Sequence, residues 1–492
     1  MEAPKLSKSR FVAGLQCPLR LWNQCYRPEL AAEPSPAQQA LFDTGHEVGR
    51  LATRLYPGGV LIVEDHLHHE QAVRSTLQAL ATHSLSALYE AAFLTDGIRV
   101  RADILERLPQ GRWNLIEVKS ATSVKDIYVP DVALQYHVLQ AAGLDVARAG
   151  ILHLNTRYFF DGCKLDLTRL FHFADLTGDV AGYQEQLGAR LAEFRTMLAR
   201  SEPPEIEPGR QCVTPYTCEF RQHCTREKPR FWVFTLPGLT EKKYAQLRAA
   251  GIEDIRDIPA GFRLTAMQAR VARCIQEERE YLGPELTGVL HDVEYPVHFL
   301  DFETIAPAIP RYARTRPYQA VPFQWSDHVV ARDGTLEHRE FLHDQDTDPR
   351  PAFCASLLEA LGDRGSVFIY TGYELGVIKG LASALPSHGV RLAAIADRCK
   401  DLHAVIRRHY YHPDFGGSFS LKAVLPAVVP GMGYGALAVQ EGNQASLEYL
   451  RMIDPSTPAA ERKRLWADLL AYCRHDTLAM VRLREELLRR AS

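Results

Sequence analysis

The sequence of 492 residues contains no uninterrupted apolar run of about eighteen residues, the length that a membrane-spanning helix requires. Its beginning, "MEAPKLSKSRFVAGLQCPLR", also lacks the apolar segment of a secretory signal peptide. These two absences argue against a membrane protein and a secreted protein, and they predict a cytoplasmic location. Internal repeats and low-complexity tracts are missing as well, so the sequence is not that of a repeat protein.

An excess of positive charge is also missing, because the formal net charge is −3. A nucleic-acid-binding protein of this charge needs local basic patches rather than a basic surface throughout. The ten cysteines argue for free thiols or metal ligands, because a large cytosolic chain seldom carries a disulfide framework. The composition, 46% hydrophobic and 24% charged, is typical of a folded protein, and the length predicts about two to four domains.

The pattern of the chain predicts an α/β multidomain protein with three regions. Residues 1–228 contain helical patterns and two strands around a turn at Pro109-Gln110-Gly111. Residues 229–292 are mostly helical, with a helix, a glycine and a short helix that are typical of a helix-hairpin-helix connector. In residues 293–492 strands alternate with helices, and the chain ends in a long amphipathic helix over 458–490.

A first group of charged residues belongs to the two strands around that turn. Asp103 and Glu117 have numbers that sum to twice 110, the centre of the turn, so a simple hairpin places them opposite one another. Lys119 shares the face of Glu117, because side chains two apart on a strand point the same way. Carboxylates arranged in this way bind Mg²⁺ or Mn²⁺. The alternative is an ordinary cross-strand ion pair on the surface.

The order of these residues resembles a PD-(D/E)XK nuclease of the RecB type. Asp103 is followed after about a dozen residues by Glu117-Val118-Lys119, and then by a helix that carries Gln135. The resemblance implies a restriction-endonuclease-like fold in residues 1–228. It also implies that Asp103 and Glu117 are metal ligands, that Lys119 is the catalytic lysine, and that Gln135 lies near the site.

Three positions differ from this family or are ambiguous. Ala102 replaces the usual proline, and Leu139 stands where a tyrosine is usual. A further metal ligand is expected upstream in "FDTGHEVGRLA", where His46 and Glu47 are alternatives. We favour Glu47, because the pattern Gly-x-Glu-x-Gly places it one turn inside the helix.

Three cysteines follow the nuclease motif at equal spacing. Five residues separate Cys212 from Cys218 and Cys218 from Cys224, and this spacing does not keep thiols on one helix face. A loop wrapped around a ligand explains the spacing better. Cys17 is the candidate for a fourth ligand, and Cys25 is the second choice.

The position of these cysteines resembles the arrangement in AddB-type and CRISPR-associated RecB-like nucleases. In those proteins one N-terminal cysteine joins three near the end of the nuclease domain and holds a 4Fe–4S cluster. The resemblance implies that Cys17, Cys212, Cys218 and Cys224 hold such a cluster, although the spacing of the last three differs from that of several relatives. Zinc is the alternative, because four thiolates suit either group. Scattered structural cysteines are the third reading.

A second group of acids begins in the stretch "VHFLDFETI". Asp301 and Glu303 share one face of a predicted strand over 297–303. Asp476 falls on the apolar stripe of the terminal helix, one turn after Tyr472. An aspartate on a buried face is costly unless it is paired or bound to a metal. The sequence therefore predicts either a metal site or an aspartate paired with a cation.

This pattern resembles the DEDD exonucleases of the RNase H-like fold, in the branch that carries a tyrosine. The first acidic motif matches Asp301 and Glu303, and the last matches Tyr472 and Asp476. Glu374 stands at the position of the usual middle aspartate. The resemblance implies two metal ions, Mg²⁺ or Mn²⁺, a 3′–5′ exonuclease activity, and a water molecule oriented by Tyr472.

The two resemblances together predict a metal-dependent nuclease with two catalytic centres that acts on DNA in preference to RNA. A second hypothesis is a nucleic-acid-binding scaffold with decayed active sites, held together by an iron–sulfur or zinc site. A third hypothesis is an iron–sulfur protein that senses rather than cuts. Cleavage assays on variants separate the first hypothesis from the other two.

Overall fold

A computed structural model describes residues 4–65, 67–82 and 84–492. The chain forms two compact units of mixed α/β structure, as the sequence predicts at this level. The first unit consists of residues up to Glu227 together with Pro307–Tyr318. The second consists of Lys228–Ala306 and Gln319–Ser492, so the helical region predicted as a connector over 229–292 belongs to the second unit.

The first unit is built from the following elements: β1 Leu6–Ser7, α1 Lys8–Gln16, α2 Pro18–Tyr26, α3 Pro36–Thr53, β2 Val60–Leu61, α4 His69–Leu80, β3 Ala87–Thr95, β4 Ile98–Arg107, β5 Trp113–Lys119, α5 Tyr128–Ala141, β6 Val146–Leu154, α6 Leu167–Leu170, β7 Phe171–Asp175, α7 Thr177–Gly182, α8 Gln184–Leu198 and α9 Arg221–Thr225.

A seven-stranded mixed sheet organises this unit. Its strand order is β2-β3-β4-β5-β6-β7, with β1 paired to β4. β5 and β6 are parallel, and α5 connects them, as a parallel pair requires. The sheet buries apolar side chains on both faces, because Leu115 packs in one core with α5 and α8 whereas Ile116 packs in another with α3.

The hairpin predicted around residue 110 is present. β4 and β5 are antiparallel, and Ile104 pairs with Ile116, which is the register whose residue numbers sum to 220. The amide of Val118 donates to Oδ2 of Asp103 at 2.8 Å. The turn therefore fixes a register that brings Asp103 next to the Glu-Val-Lys segment, as the sequence predicts.

The segment Pro307–Tyr318 reaches the first unit from the loop between two strands of the second. The amides and carbonyls of Phe160, Arg314 and Thr315 form two hydrogen bonds of 2.7 and 2.9 Å. The Tyr318 hydroxyl donates to the carbonyl of Ser120, the residue that follows Lys119. This segment therefore supports the end of β5 from outside the continuous part of the unit.

The second unit is built from these elements: α10 Glu241–Ala249, α11 Ala266–Gln276, β8 Tyr281–Leu282, α12 Leu286–His291, β9 Val297–Ile305, β10 Val321–Val330, β11 Leu336–Leu342, α13 Arg350–Leu361, β12 Val367–Ile369, α14 Tyr373–Ala384, α15 Gly389–Arg398, β13 Cys399–Asp401, α16 Leu402–His409, β14 Tyr410–Tyr411, α17 Leu421–Val428, α18 Gly442–Ile453 and α19 Ala459–Ala491.

A five-stranded sheet of order β11-β10-β9-β12-β13 forms its centre. β9, β10 and β11 are antiparallel, whereas β12 and β13 are parallel to β9. A hairpin whose turn contains Asp333 and Gly334 joins β10 to β11, and the predicted strand over 297–303 is the first part of β9.

Helix α19 is the amphipathic helix that the sequence predicts at the end of the chain. Its buried residues Met480, Leu483 and Leu487 share one hydrophobic core with Phe299 of β9. The same core contains Trp232, Leu247, Val271 and Leu286, which explains why the region 229–292 belongs to this unit. None of the described helices is both long and apolar enough to cross a membrane.

Candidate metal centres

Glu117 is the centre of the first charged group. It lies on β5 and is 1% exposed. Its Oε1 accepts from Lys119 at 2.6 Å and from Lys8 at 2.7 Å. Its Oε2 accepts from Gln135 at 2.9 Å and from Lys8 at 2.9 Å. The structure thus brings Glu117, Lys119 and Gln135 together, as the sequence predicts, and every lone-pair direction of the carboxylate faces a donor.

Sequence reasoning missed two members of this group, Lys8 and Asp131. Lys8 begins helix α1, and Asp131 lies on α5 one turn before Gln135. The Asp131 carboxylate accepts from Lys119 at 2.8 Å and from Gln135 at 3.2 Å. Asp131 shares the helix face of Gln135 and was recognisable from that four-residue spacing. Lys8 has no such signal, because 109 residues separate it from Glu117.

The charges of this group shift the pKa values of its members in opposite directions. Burial and the charge of Glu117 raise the pKa of Asp103 to about 7. Burial alone would raise the pKa of Glu117, but the charges of Lys119 and Lys8 lower it well below its usual range. Burial opposes a positive charge on Lys119, yet the charges of Glu117 and Asp131 raise its pKa. Glu117 and both lysines therefore stay ionised at neutral pH, and Asp103 is the member of this group that gains or loses a proton near neutral pH.

The group opens into a cleft of about 740 Å³. Asp103, Glu117 and Lys119 lie in its wall, and helix α3 forms another part. The structure places His46 along this cleft, whereas Glu47, the ligand that we favoured, is not among the residues that line it. Adjacent residues of a helix point about 100° apart, so a change of one position decides which side chain faces the site.

The mouth of the cleft is apolar. Leu41 and Phe42 of α3 are 66% and 54% exposed, and Leu61 of β2 is 52% exposed. All three line the cleft together with Arg50. Phe42 thus presents an exposed aromatic ring in this cleft, and Arg50 lies on the same helix.

The four cysteines predicted as ligands line one pocket. Cys17, Cys212, Cys218 and Cys224 all contact it, together with Arg20, Ile206 and Phe220. Helix α1 is tied to the cysteine loop by Gln16, whose amide donates to the carbonyls of Gln211 and Tyr216 at 2.6 and 2.8 Å. Cys25, the second choice for a fourth ligand, does not line this pocket.

The sulfur atoms are grouped but not tightly packed. No three of the four, all of which lie in described residues, are within 4.8 Å of one another. Two sulfur ligands of a single Zn²⁺ lie at most about 4.6 Å apart, twice the usual Zn–S bond length. Burial raises the pKa of the Cys17 and Cys224 thiols and that of Cys218 to about 11, so these thiols are protonated without a metal. The four thiols therefore surround one pocket without forming a preformed single-ion site.

The second acidic group lies where β9 faces α19. Asp301, Glu303 and Asp476 influence one another's pKa, and Glu374 at the start of α14 acts on Asp301 as well. The structure therefore brings together all four acids that the sequence predicts. Glu374 is 3% exposed, and its Oε2 has no hydrogen-bond partner.

Two tyrosines and a lysine border these acids. Tyr472 lies one helical turn before Asp476, as predicted, and forms a hydrogen bond with it. Tyr434, which sequence reasoning missed, donates its hydroxyl to Oδ1 of Asp476 from the loop before α18. The ammonium of Lys422 lies 5.3 Å from the Tyr434 ring centroid and 5.7 Å from that of Tyr472. The charge of Lys422 lowers the pKa values of Glu303 and Asp476.

The acids of this second group repel one another. Burial and the charge of Asp476 raise the pKa values of Asp301 and Glu303 well above their usual range. Burial raises the pKa of Glu374 to about 8. Burial also raises the pKa of Asp476 to about 6, although the hydrogen bond from Tyr434 opposes the shift. Without a metal, this group retains protons at neutral pH.

Neighbouring polar residues are engaged elsewhere. Arg474 pairs with Glu340 at 2.9 Å rather than with Asp476. Asp401 caps the start of α16 by accepting from the amide of Ala404 at 2.9 Å. The acids of the second group thus have hydrogen-bond donors beside them, but no ion-pair contact within the part of the chain that the structure describes.

Residues 298–420 match the family described as a domain of unknown function (DUF2779). This range includes Asp301, Glu303 and Glu374 and ends before Tyr472 and Asp476. No curated protein matches the chain. Neither comparison therefore indicates the chemistry of the two centres.

Proposed function

We propose that this protein is a metal-dependent nuclease that hydrolyses phosphodiester bonds of DNA at two centres. The observation that carries the proposal is that Asp103, Glu117 and Lys119 share the wall of one cleft in the register that the nuclease motif requires, with Gln135 donating to Glu117. The alternative, an ordinary cross-strand ion pair on the surface, requires neither the burial of Glu117 nor its hydrogen bond from Gln135, so it leaves both observations unexplained.

The first centre is proposed as a RecB-type PD-(D/E)XK site. Asp103 and Glu117 supply oxygen ligands of the kind that Mg²⁺ or Mn²⁺ prefers. A bound ion of this class binds phosphate and lowers the pKa of its water. Lys119, ionised and held by Glu117 and Asp131, stabilises the negative charge that develops on the phosphate. Gln135 keeps the Glu117 carboxylate in place by its hydrogen bond.

The second centre is proposed as an RNase H-like DEDD exonuclease site with 3′–5′ polarity. Asp301, Glu303, Glu374 and Asp476 form an oxygen-rich group whose mutual repulsion a divalent cation relieves. Two ions in such a site stabilise the attacking and the leaving oxygen. Tyr472 lies beside Asp476 and is placed to orient a water molecule through its hydroxyl.

The cysteine pocket is proposed to hold a 4Fe–4S cluster, with zinc as the alternative. Zinc is the less favoured occupant, since three of these thiols cannot reach one zinc ion without moving. Cys17 ends α1 and the other three follow the nuclease motif, so the group would tie the two ends of the first unit together. Absorbance near 400 nm in anaerobically purified protein is expected for the cluster and absent for zinc.

The two activities are tested by variants of one residue in each unit. Lys119→Met is expected to lower cleavage at the first centre by at least about 100-fold, and Asp476→Asn to do the same at the second. End-labelled single- and double-stranded DNA in Mn²⁺ is the substrate panel, with matched RNA alongside. Lys164→Met and Asp468→Asn are the matched controls, because both residues are outside the two centres.

The outcome of the double variant decides the proposal. Wild-type cleavage by a protein that carries both substitutions would show that neither assignment is right. If one single variant lost all cleavage and the other kept wild-type cleavage, the proposal would be reduced to one centre. Equal cleavage of RNA and DNA would remove the preference for DNA.

A further inference from the structure

The second centre contains a thiol that the DEDD pattern does not account for. Cys473 follows Tyr472 on α19 and is 0% exposed. Its Sγ lies 3.4 Å from Oδ2 of Asp301. One ligand atom each from Asp301, Glu303 and Cys473 lie within 4.8 Å of one another. No other three histidine, cysteine or acidic residues of the described chain reach this proximity.

A free thiol does little for the acids in this position. The Cys473 thiol can donate one hydrogen bond, and the oxygen that faces it is Oδ2 of Asp301. A neutral thiol is a weak hydrogen-bond donor and cannot balance three carboxylates. The position instead places a soft ligand atom among hard ones.

A second observation points to a missing ligand in the same place. The carboxyl of Glu374 is buried and interacts with Asp301 and Asp476. Its Oε2 has no hydrogen-bond partner among the described residues. A buried carboxyl oxygen without a partner is unfavourable, and a bound cation removes that cost.

We propose that the second centre binds a thiophilic divalent cation of the Zn²⁺ class, with Cys473, Asp301 and Glu303 as ligands. This inference rests on the proposed function in that it concerns the same acids, and it specifies which metal they select. A thiolate favours Zn²⁺ and Cd²⁺, whereas sites made only of carboxylates favour Mg²⁺ and Mn²⁺. The sulfur–oxygen separation of 3.4 Å suits two ligands on one ion whose bonds are about 2.0–2.3 Å long.

Binding requires no oxidant or reductant. The Cys473 thiol and any protonated carboxyl among Asp301 and Glu303 lose their protons to solvent, the sulfur and oxygen lone pairs form the bonds to the cation, and the net charge of the centre rises by two minus the number of protons released. Proton release on metal binding is therefore part of the expectation. Affinity for Zn²⁺ increases with pH, because the proton and the cation compete for the same sulfur atom.

The test uses the metal-free full-length chain and Cd²⁺ as the probe. The ultraviolet absorbance of thiolate–Cd²⁺ charge transfer is titrated in wild type, Cys473→Ser and Cys354→Ser. Cys354 is also 0% exposed and lies in the second unit, on α13, so it controls for loss of a buried thiol. The four-cysteine pocket of the first unit is present in all three proteins, and its contribution cancels.

Wild type and Cys354→Ser are expected to bind one more Cd²⁺ through sulfur than Cys473→Ser. The affinity of this centre for Zn²⁺ should fall by about 10–100-fold in Cys473→Ser, while that for Mn²⁺ changes by less than about threefold. Asp301→Asn keeps the thiol and should also lose the additional Cd²⁺ signal. This variant keeps the test decisive if Cys473→Ser fails to fold.

Equal Cd²⁺ signals in wild type, Cys473→Ser and Asp301→Asn would overturn the inference. An inactive wild type that still shows the Cys473-dependent signal would contradict the proposed nuclease activity and leave the metal site supported. An active wild type without that signal would support the nuclease activity and contradict the proposed metal site. The two proposals therefore fail by different measurements.

Discussion

In the first unit the carboxylates of Glu117 and Asp131 contact two ammonium groups, at distances of 2.6 to 3.9 Å. In the second unit Asp301, Glu303 and Asp476 have no ion-pair contact within the described residues, and Lys422 influences them only through its charge. The same chemical problem, crowded carboxylates on a strand, thus has two different local environments.

The difference shows up in the pKa values. Glu117 has its pKa lowered by Lys119 and Lys8, whereas Asp301 and Glu303 have theirs raised by burial and by Asp476. An acid that is balanced by lysines needs no metal to remain ionised. An acid that is surrounded by acids needs protons or cations. The charges of the first group therefore need no metal to remain balanced, whereas full ionisation of the second group would require a cation beside it.

The largest expected effect comes from removing the balanced charge. Glu117→Gln removes the carboxylate that Lys8 and Lys119 both contact most closely and leaves them Asp131, and we expect the first unit to lose about 2–3 kcal/mol of unfolding free energy. This figure lies below the cost of breaking a fully buried pair, because both lysine side chains are about a quarter exposed. Hydrogen exchange of the β5 amides measures the loss, and β9 amides are the internal control. Unchanged protection of β5 would mean that the lysines do not stabilise the fold through Glu117.

The second unit is expected to respond to pH instead. The folded state raises the pKa of Asp476 to about 6 and that of Glu374 to about 8, so it binds these protons more tightly than the unfolded chain. The stability that they contribute is present below about pH 4 and is lost as pH rises through 6 to 8. Without metal, the protection of β9 amides should fall by about 1–2 kcal/mol over this range.

Two controls isolate this pH dependence. Asp476→Asn and Glu374→Gln remove a titrating group each and should flatten the slope. Excess Mn²⁺ should flatten it as well, because the cation replaces the protons. A slope that is the same in wild type and in both variants would place its origin outside the centre.

Much of this comparison was predictable from local patterns. The turn at Pro109-Gln110-Gly111 and the two-residue period of strands fix the register of Asp103 and Glu117. The same period places Asp301 with Glu303, and the helical period places Asp476 with Tyr472. These predictions rest on spacings within one element or one hairpin, where geometry leaves little freedom.

The parts that the sequence did not reveal depend on long-range packing. Lys8 reaches Glu117 because α1 packs against the sheet, and no periodic pattern marks a lysine that begins a helix. Tyr434 lies in an irregular loop, where spacing carries no information about direction. His46 and Glu47 differ by one position, and the phase of α3 against the sheet decides between them. The choice of Glu47 rested on a pattern that does not specify that phase.

A third prediction concerns Lys8, whose ammonium faces both oxygens of Glu117. A divalent ion that binds Glu117 must share it with this cation, so Lys8 weakens metal binding at the first centre. Lys8→Met is expected to tighten Mn²⁺ binding by about 10-fold, equivalent to about 1.4 kcal/mol. Calorimetry in an Asp301→Asn background removes the contribution of the second centre. Weaker Mn²⁺ binding in the variant would instead show that Lys8 only positions the carboxylate.

The smallest expected effect concerns an exposed aromatic ring at the cleft of the first unit. Phe42 is exposed at the mouth of the cleft of the first unit, where its ring can stack on a base. Phe42→Ala should raise KM for single-stranded DNA at the first centre about fivefold and leave kcat unchanged. Phe159 is 52% exposed in the same unit, lies outside the cleft, and provides a matched control. Assays in an Asp476→Asn background report the first centre alone.

An equal change of KM in Phe42→Ala and Phe159→Ala would show that the ring at the cleft mouth has no special role. A change in Phe42→Ala alone would mean that the first centre gains substrate affinity from apolar stacking, because its own charges are already balanced.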